Sequence, residues 1–147
     1  MEKITKELIK ELFKKYNTLY FDKELRLPRF TTYKGRRTCG VYSYKIDKKT
    51  KKLKNERFAI ANNVNWSEDA LRDTIVHEMI HCYIAQKNIK DNRDHGKVFK
   101  QMMNDYNRHY GLNITVKIDN KQFPFTDQKP RKSLIQKLIK YLKKIMG

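Results

Sequence analysis

The chain has 147 residues, two cysteines and a formal net charge of +18, with 39% hydrophobic and 12% aromatic side chains. That length fits one domain burying roughly two-thirds of its unfolded surface, and the composition excludes a disordered, collagen-like or disulfide-framed chain. No apolar run approaches membrane-spanning length, and the charged stretch Met1 to Glu7 lacks the apolar core of a signal peptide.

Residues 3–20 read as an amphipathic helix, with Ile4, Leu8, Leu12, Phe13, Tyr16, Leu19 and Tyr20 at helical spacing. Asp22 to Pro28 break it. Residues 29–62 read as a small sheet, expected to be antiparallel. Its β-rich runs are Thr31 to Tyr33, Gly40 to Tyr44 and Arg57 to Ile60, separated by Gly35 and by a Lys-rich turn at 47–55. Ser67 has the hydroxyl of an N-cap, and Glu68 and Asp69 are favourable in the first turn behind it. The helix it opens is expected to run to about Gln86. Ile75, Val76, Met79, Ile80 and Tyr83 cover more than one stripe, which marks a central, buried helix. Cys82 within it reads as a buried thiol.

After a polar connection from Lys87 to Asp94, a second helix is expected from about His95 to Tyr110. Val98, Phe99, Met102, Met103 and Tyr106 would face inward, with Gly111 as the C-terminal stop. Asn113 to Ile118 could add a strand, and 119–130, with Pro124 and Pro130, read as an extended linker. Residues 131–146 read as a basic amphipathic helix. Leu134, Ile135, Leu138, Ile139, Leu142 and Ile145 lie on one side, and Lys132, Lys137, Lys140, Lys143 and Lys144 lie mostly on the other. The expected organisation is one α+β domain over 1–118, then a linker and helix over 119–147 packed on the same domain. Contact with nucleic acid or with an anionic lipid surface are the other roles open to that helix.

The central helix carries His77-Glu78-Met79-Ile80-His81, an H-E-x-x-H pentad. Positions i and i+4 lie ~40° apart around a helix, so His77 and His81 can grip one ion. Glu78 is placed to take the proton of a water activated by that ion. Catalytic zinc takes three protein ligands. No glutamate follows Glu78, which removes a downstream glutamate ligand, and Ile84 and Lys87 stand where the pattern H-E-x-x-H-x-x-G-x-x-H needs Gly and His. His95, His109 and a few aspartates remain. His95 is the best placed, fourteen residues past His81, with Gly96 beside it and Phe99 to anchor the second helix. His109 lies nearly four turns away, ~20 Å along a straight helix. A set of three histidines favours zinc among divalent ions.

The charge is uneven. Residues 29–57 hold eleven Lys or Arg against Asp47 and Glu56, a net +9, and 121–147 hold eight against Asp127, a net +7. Residues 62–95, around the pentad, hold four against six acids, a net −2. Basic segments on both sides of a mildly acidic centre indicate a polyanionic partner, for which DNA is the usual candidate. The expected location is the cytoplasm or the nucleoid, in a reducing compartment.

The run Leu71-Arg72-Asp73-Thr74-Ile75-Val76-His77-Glu78-Met79-Ile80-His81, followed by Asp94-His95-Gly96-Lys97-Val98-Phe99, resembles the SprT/Spartan family of zinc metalloproteases. Leu12 to Asn17, Tyr20-Phe21, Leu27-Pro28 and Cys39-Gly40-Val41-Tyr42 are similar to its first helix, the loop after it and its first core strands, so the likeness spans about residues 5 to 115. The resemblance implies a zincin-like metalloprotease fold, zinc on His77, His81 and His95, and Glu78 as general base. It also implies a protein substrate, and DNA-crosslinked proteins in Spartan-like members. Two other functions fit the residues: a DNA-binding regulator with a structural or vestigial zinc site and no proteolysis, and a zinc hydrolase of a small amide or peptide.

Overall fold

The computed structural model describes residues 3–117, 125–126 and 134–146. The elements are α1 (Lys6–Tyr20), β1 (Arg29–Tyr33), β2 (Gly40–Ile46), β3 (Leu53–Ala61), α2 (Glu68–Gln86), α3 (Lys97–Tyr110) and α4 (Leu134–Met146). Helices and a separate small sheet make an α+β architecture.

The sheet is mixed rather than antiparallel. Its order is β1-β3-β2, with β1 parallel and β2 antiparallel to β3. The reason lies in β3, whose Phe58, Ala59, Ile60 and Ala61 are all fully buried. A strand apolar on both faces belongs in the middle of a sheet. The chain therefore lays β1 and β2 down first, and β3 returns from the 47–52 turn into the gap between them. β2 is left at an edge.

α1 begins at Thr5, whose hydroxyl accepts the Leu8 N–H at 3.1 Å. It packs on the sheet through Phe13, whose ring lies 5.2 Å from both Phe30 and Phe58, edge to face in each case. The buried side chain of Asn17 holds the chain reversal after α1, exchanging two hydrogen bonds with the backbone of Leu25 at 3.0 and 3.2 Å.

Ser67 caps α2 as expected, its hydroxyl accepting the Ala70 N–H at 3.1 Å. Ile75, Val76, Met79, Ile80 and Cys82 are fully buried, so α2 is the spine of the core. Burial pushes the Cys82 thiol well above its ordinary range. At the far end of α2, the Gln86 amide accepts the Arg26 N–H at 2.9 Å and donates to the Arg26 carbonyl at 3.0 Å and to Glu56 at 2.8 Å. Glu56 also accepts the Tyr42 hydroxyl at 2.7 Å. One glutamine thus ties the end of α2 to the chain before β1 and to the sheet.

α3 starts two residues later than its sequence pattern implies, with Gly96 at the N-cap, and ends at Gly111, which is left-handed at φ 66°. Its Tyr106 hydroxyl donates to the Tyr20 carbonyl at 2.8 Å, which docks it on α1. The strand expected over 113–118 does not form in 113–117; Ile118 lies outside the described residues. Instead Asn107 clamps the segment, accepting the Ile114 N–H at 2.8 Å and donating to the Ile114 carbonyl at 2.9 Å. Of the expected linker only Phe125 and Thr126 are described. Phe125 is buried and bridged to Val64, so it is a core residue rather than part of a free tether. In α4, Leu138 and Leu142, expected on the domain, are 55% and 44% exposed, and Ile145 is 62% exposed.

Candidate metal centre

α2 presents His77 and His81 one turn apart on a single face, and the loop before α3 brings His95 to them. His95 Nε2 lies 3.1 Å from His81 Nε2 and 3.2 Å from His77 Nε2. One donor atom from each residue lies within 4.8 Å of the others, a group that could hold a metal ion. Tetrahedral ligation with Zn–N near 2.0–2.1 Å sets N···N separations of about 3.3–3.4 Å, so the spacings fit a shared cation.

Protons point the same way. The Thr115 carbonyl, 2.8 Å from His77 Nδ1, can only accept a hydrogen bond. It assigns the proton to Nδ1 and turns the Nε2 lone pair into the cluster, the arrangement of a metal-ligating imidazole. A single N–H on His95 cannot serve both neighbouring rings in line, whereas one cation bonded to all three rings can. Burial holds His77 down to about 4, with the neighbouring His81 adding to the effect, and burial likewise holds His81 down to about 4. Both are therefore neutral at pH 7, which ligation requires.

Phe99 is the platform beneath the cluster. Fully buried, its ring centroid lies 4.9, 4.5 and 4.8 Å from those of His77, His81 and His95. The exposed Asp94 carboxylate faces the outer nitrogens, 3.8 Å from His81 Nδ1 and 3.5 Å from His95 Nδ1. His109 is exposed on the last turn of α3 and stays outside the cluster.

Glu78 is 7% exposed, with Oε1 3.9 Å from His77 Nε2. Burial raises its carboxyl to about 8, while a hydrogen bond from the Tyr42 backbone N–H works against that rise. β2 lies close against it. A Cβ added at Gly40 would sit 3.0 Å from Glu78 Cγ and 3.1 Å from Thr74 Cγ2, so a glycine is what lets the strand pass the carboxylate. Desolvation pushes the Asp91 carboxylate, four residues before His95, upward, but the backbone N–H groups of Phe99, Val98, Asn92 and Gly96 together hold it below its ordinary range.

The cluster opens into a cleft of about 860 Å³ lined on one side by Val41, Tyr42 and Tyr44 of β2 and on the other by Ile89 and Arg93. Among the described residues no strand pairs with the outer edge of β2. The Thr115 carbonyl, the Tyr42 N–H and the Asp91 carboxylate escape a reading of the sequence. Two are backbone groups with no residue signature, and the third acts across a loop whose closure is not local.

No curated protein and no solved structure matches the chain. A family model described as the SprT-like family matches residues 9–118, which include β2, the pentad, His95 and Thr115. The chain belongs to the SprT-like family.

Proposed function

We propose that this chain is a zinc-dependent endopeptidase in which His77, His81 and His95 hold the metal and Glu78 is the general base. The observation that carries the reading is the meeting of three imidazole nitrogens beside a buried carboxylate, on the floor of an open cleft. A zinc ion on three histidines supplies a Lewis acid and an acidified water. With that dication's charge beside it to favour the carboxylate over the acid form that burial favours, Glu78 would take the proton of the attacking water and pass it to the departing amine. The Tyr42 N–H and the closeness of β2 aim its carboxylate. The free edge of β2 along the cleft suits an extended polypeptide, which could add as a strand, better than a small amide.

The substrates we propose are proteins bound or crosslinked to DNA. Support comes from charge: Lys45, Lys48, Lys49, Lys51, Lys52 and Lys54 are exposed around the β2–β3 turn, and Arg37 and Arg93 line the cleft. Hydrolysis of casein and of histone is to be followed with zinc, with and without single-stranded DNA, for wild type and Glu78→Gln. Wild type should cleave both, and Glu78→Gln should lose about 10²- to 10⁴-fold of the rate, the usual worth of a general base, while keeping its zinc. A Glu78→Gln enzyme working at the wild-type rate would end the mechanism. An activity indifferent to DNA would end only the nucleic-acid part.

A further inference from the structure

We propose that Asp91 is a positioning residue for the third imidazole: its carboxylate staples the 91–96 loop to the first turn of α3 and so sets where His95 stands. The proposal rests on the metal-centre reading above.

The first turn of a helix has N–H groups that its own backbone cannot serve. An N-cap side chain normally accepts one of them, but the N-cap of α3 is Gly96, which has no side chain. The acceptors come instead from upstream of the ligand. Asp91 Oδ1 accepts the Val98 N–H at 3.2 Å and the Asn92 N–H at 2.9 Å, and Asp91 Oδ2 accepts the Phe99 N–H at 2.9 Å. Asn92 Oδ1 accepts the Lys97 N–H at 3.2 Å. His95 therefore lies inside a closed loop whose two ends are tied by these bonds. Gly96 is part of the same closure, since a Cβ there would run into the side-chain oxygens of Asp91 and Asn92.

Two further observations make this closure matter to the ligand. Among the described residues, the His95 ring hydrogen-bonds only to His77 and His81. His77 is aimed by the Thr115 carbonyl, but His95 has no such partner beyond the exposed Asp94 carboxylate at 3.5 Å. Its backbone must do the aiming. The second is Phe99, whose N–H Asp91 binds and whose ring packs on all three imidazoles. One carboxylate thus fixes both the ligand loop and the platform beneath it.

The test is zinc affinity of the folded chain, measured by competition with a chromophoric chelator, with circular dichroism confirming the fold. Asp91→Ala should weaken zinc binding by about 10- to 100-fold, the usual cost of losing a group that orients a ligand. Asp91→Asn keeps one acceptor oxygen and should lose less. Thr5→Ala removes a helix cap of the same kind from α1, which contributes nothing to the site, and should leave zinc affinity within about two-fold of wild type. Should Asp91→Ala fail to fold, Asp91→Asn decides. Variants of Asp91 that bind zinc like wild type overturn the clamp, and so does a Thr5→Ala loss equal to that of Asp91→Ala. A wild-type chain that takes up no zinc removes the metal centre itself, a different failure from variants that bind as well as wild type.

Discussion

Burial acts in opposite directions on the two kinds of titratable group at the site, and the sum is a pH optimum for the metal-free chain. His77 and His81 fall from 6.5 to about 4, so the unfolded chain binds protons there that the folded chain refuses. Their contribution is complete above pH 6.5 and is lost as pH falls toward 4. Glu78 rises from 4.5 to about 8, so its contribution is complete below 4.5 and is lost as pH climbs through 8. Between 4.5 and 6.5 two histidine protons outweigh one carboxyl proton and stability rises with pH; from 6.5 to 8, below the range where the buried Cys39 and Cys82 thiols add to the loss, Glu78 dominates and stability falls. Urea midpoints of the metal-free chain should peak near pH 6.5, and a midpoint still rising from pH 6.5 to 8 would contradict the burial of Glu78. At this scale the sequence was most legible. The pentad and His95 carry their chemistry in their side chains. Gly96 stands out in the sequence as a small residue beside His95, but which atoms crowd it, the side-chain oxygens of Asp91 and Asn92, does not.

At the scale of elements, two helices and an edge strand divide the work. α2 supplies two imidazoles and the carboxylate, the loop into α3 supplies the third imidazole, and β2 crosses Glu78 at Gly40. A methyl at Gly40 would need Glu78 or Thr74 to yield by a few tenths of an ångström. Gly40→Ala should therefore slow hydrolysis by about ten-fold or more, in line with the rate cost of a misplaced catalytic group, and leave zinc content unchanged because no ligand moves. Equal activity in Gly40→Ala would mean that β2 does not aim the carboxylate. The helices could be anticipated because period and caps are local: Ser67, Gly111 and the apolar run of α2 lie within the elements they define. The sheet could be anticipated only in part. Its strands show in composition, but pairing β1 with β3 is a long-range choice. The one local hint was the unbroken apolar run Phe58-Ala59-Ile60-Ala61, which marks a central strand. The buried Phe125 is another long-range contact, invisible between two prolines.

For the whole molecule, charge and cleft bear on one reading. No helix of the described residues is long and apolar enough to cross a membrane, and the chain carries +18. If the Lys-rich β2–β3 turn and the cleft arginines contact phosphates, DNA affinity should fall steeply with salt, about 10³-fold or more between 50 and 200 mM for six or more contacts. A flat salt response would remove DNA as partner and leave the peptidase reading intact. That reading depends on all three rings gripping one ion. The most direct measurement is the zinc content of the purified, dialysed chain beside that of His95→Ala. One zinc per wild-type chain is expected, and well under half that in the folded variant, because two histidines alone make a weak site. A His95→Ala chain that keeps a full equivalent of zinc would contradict that reading.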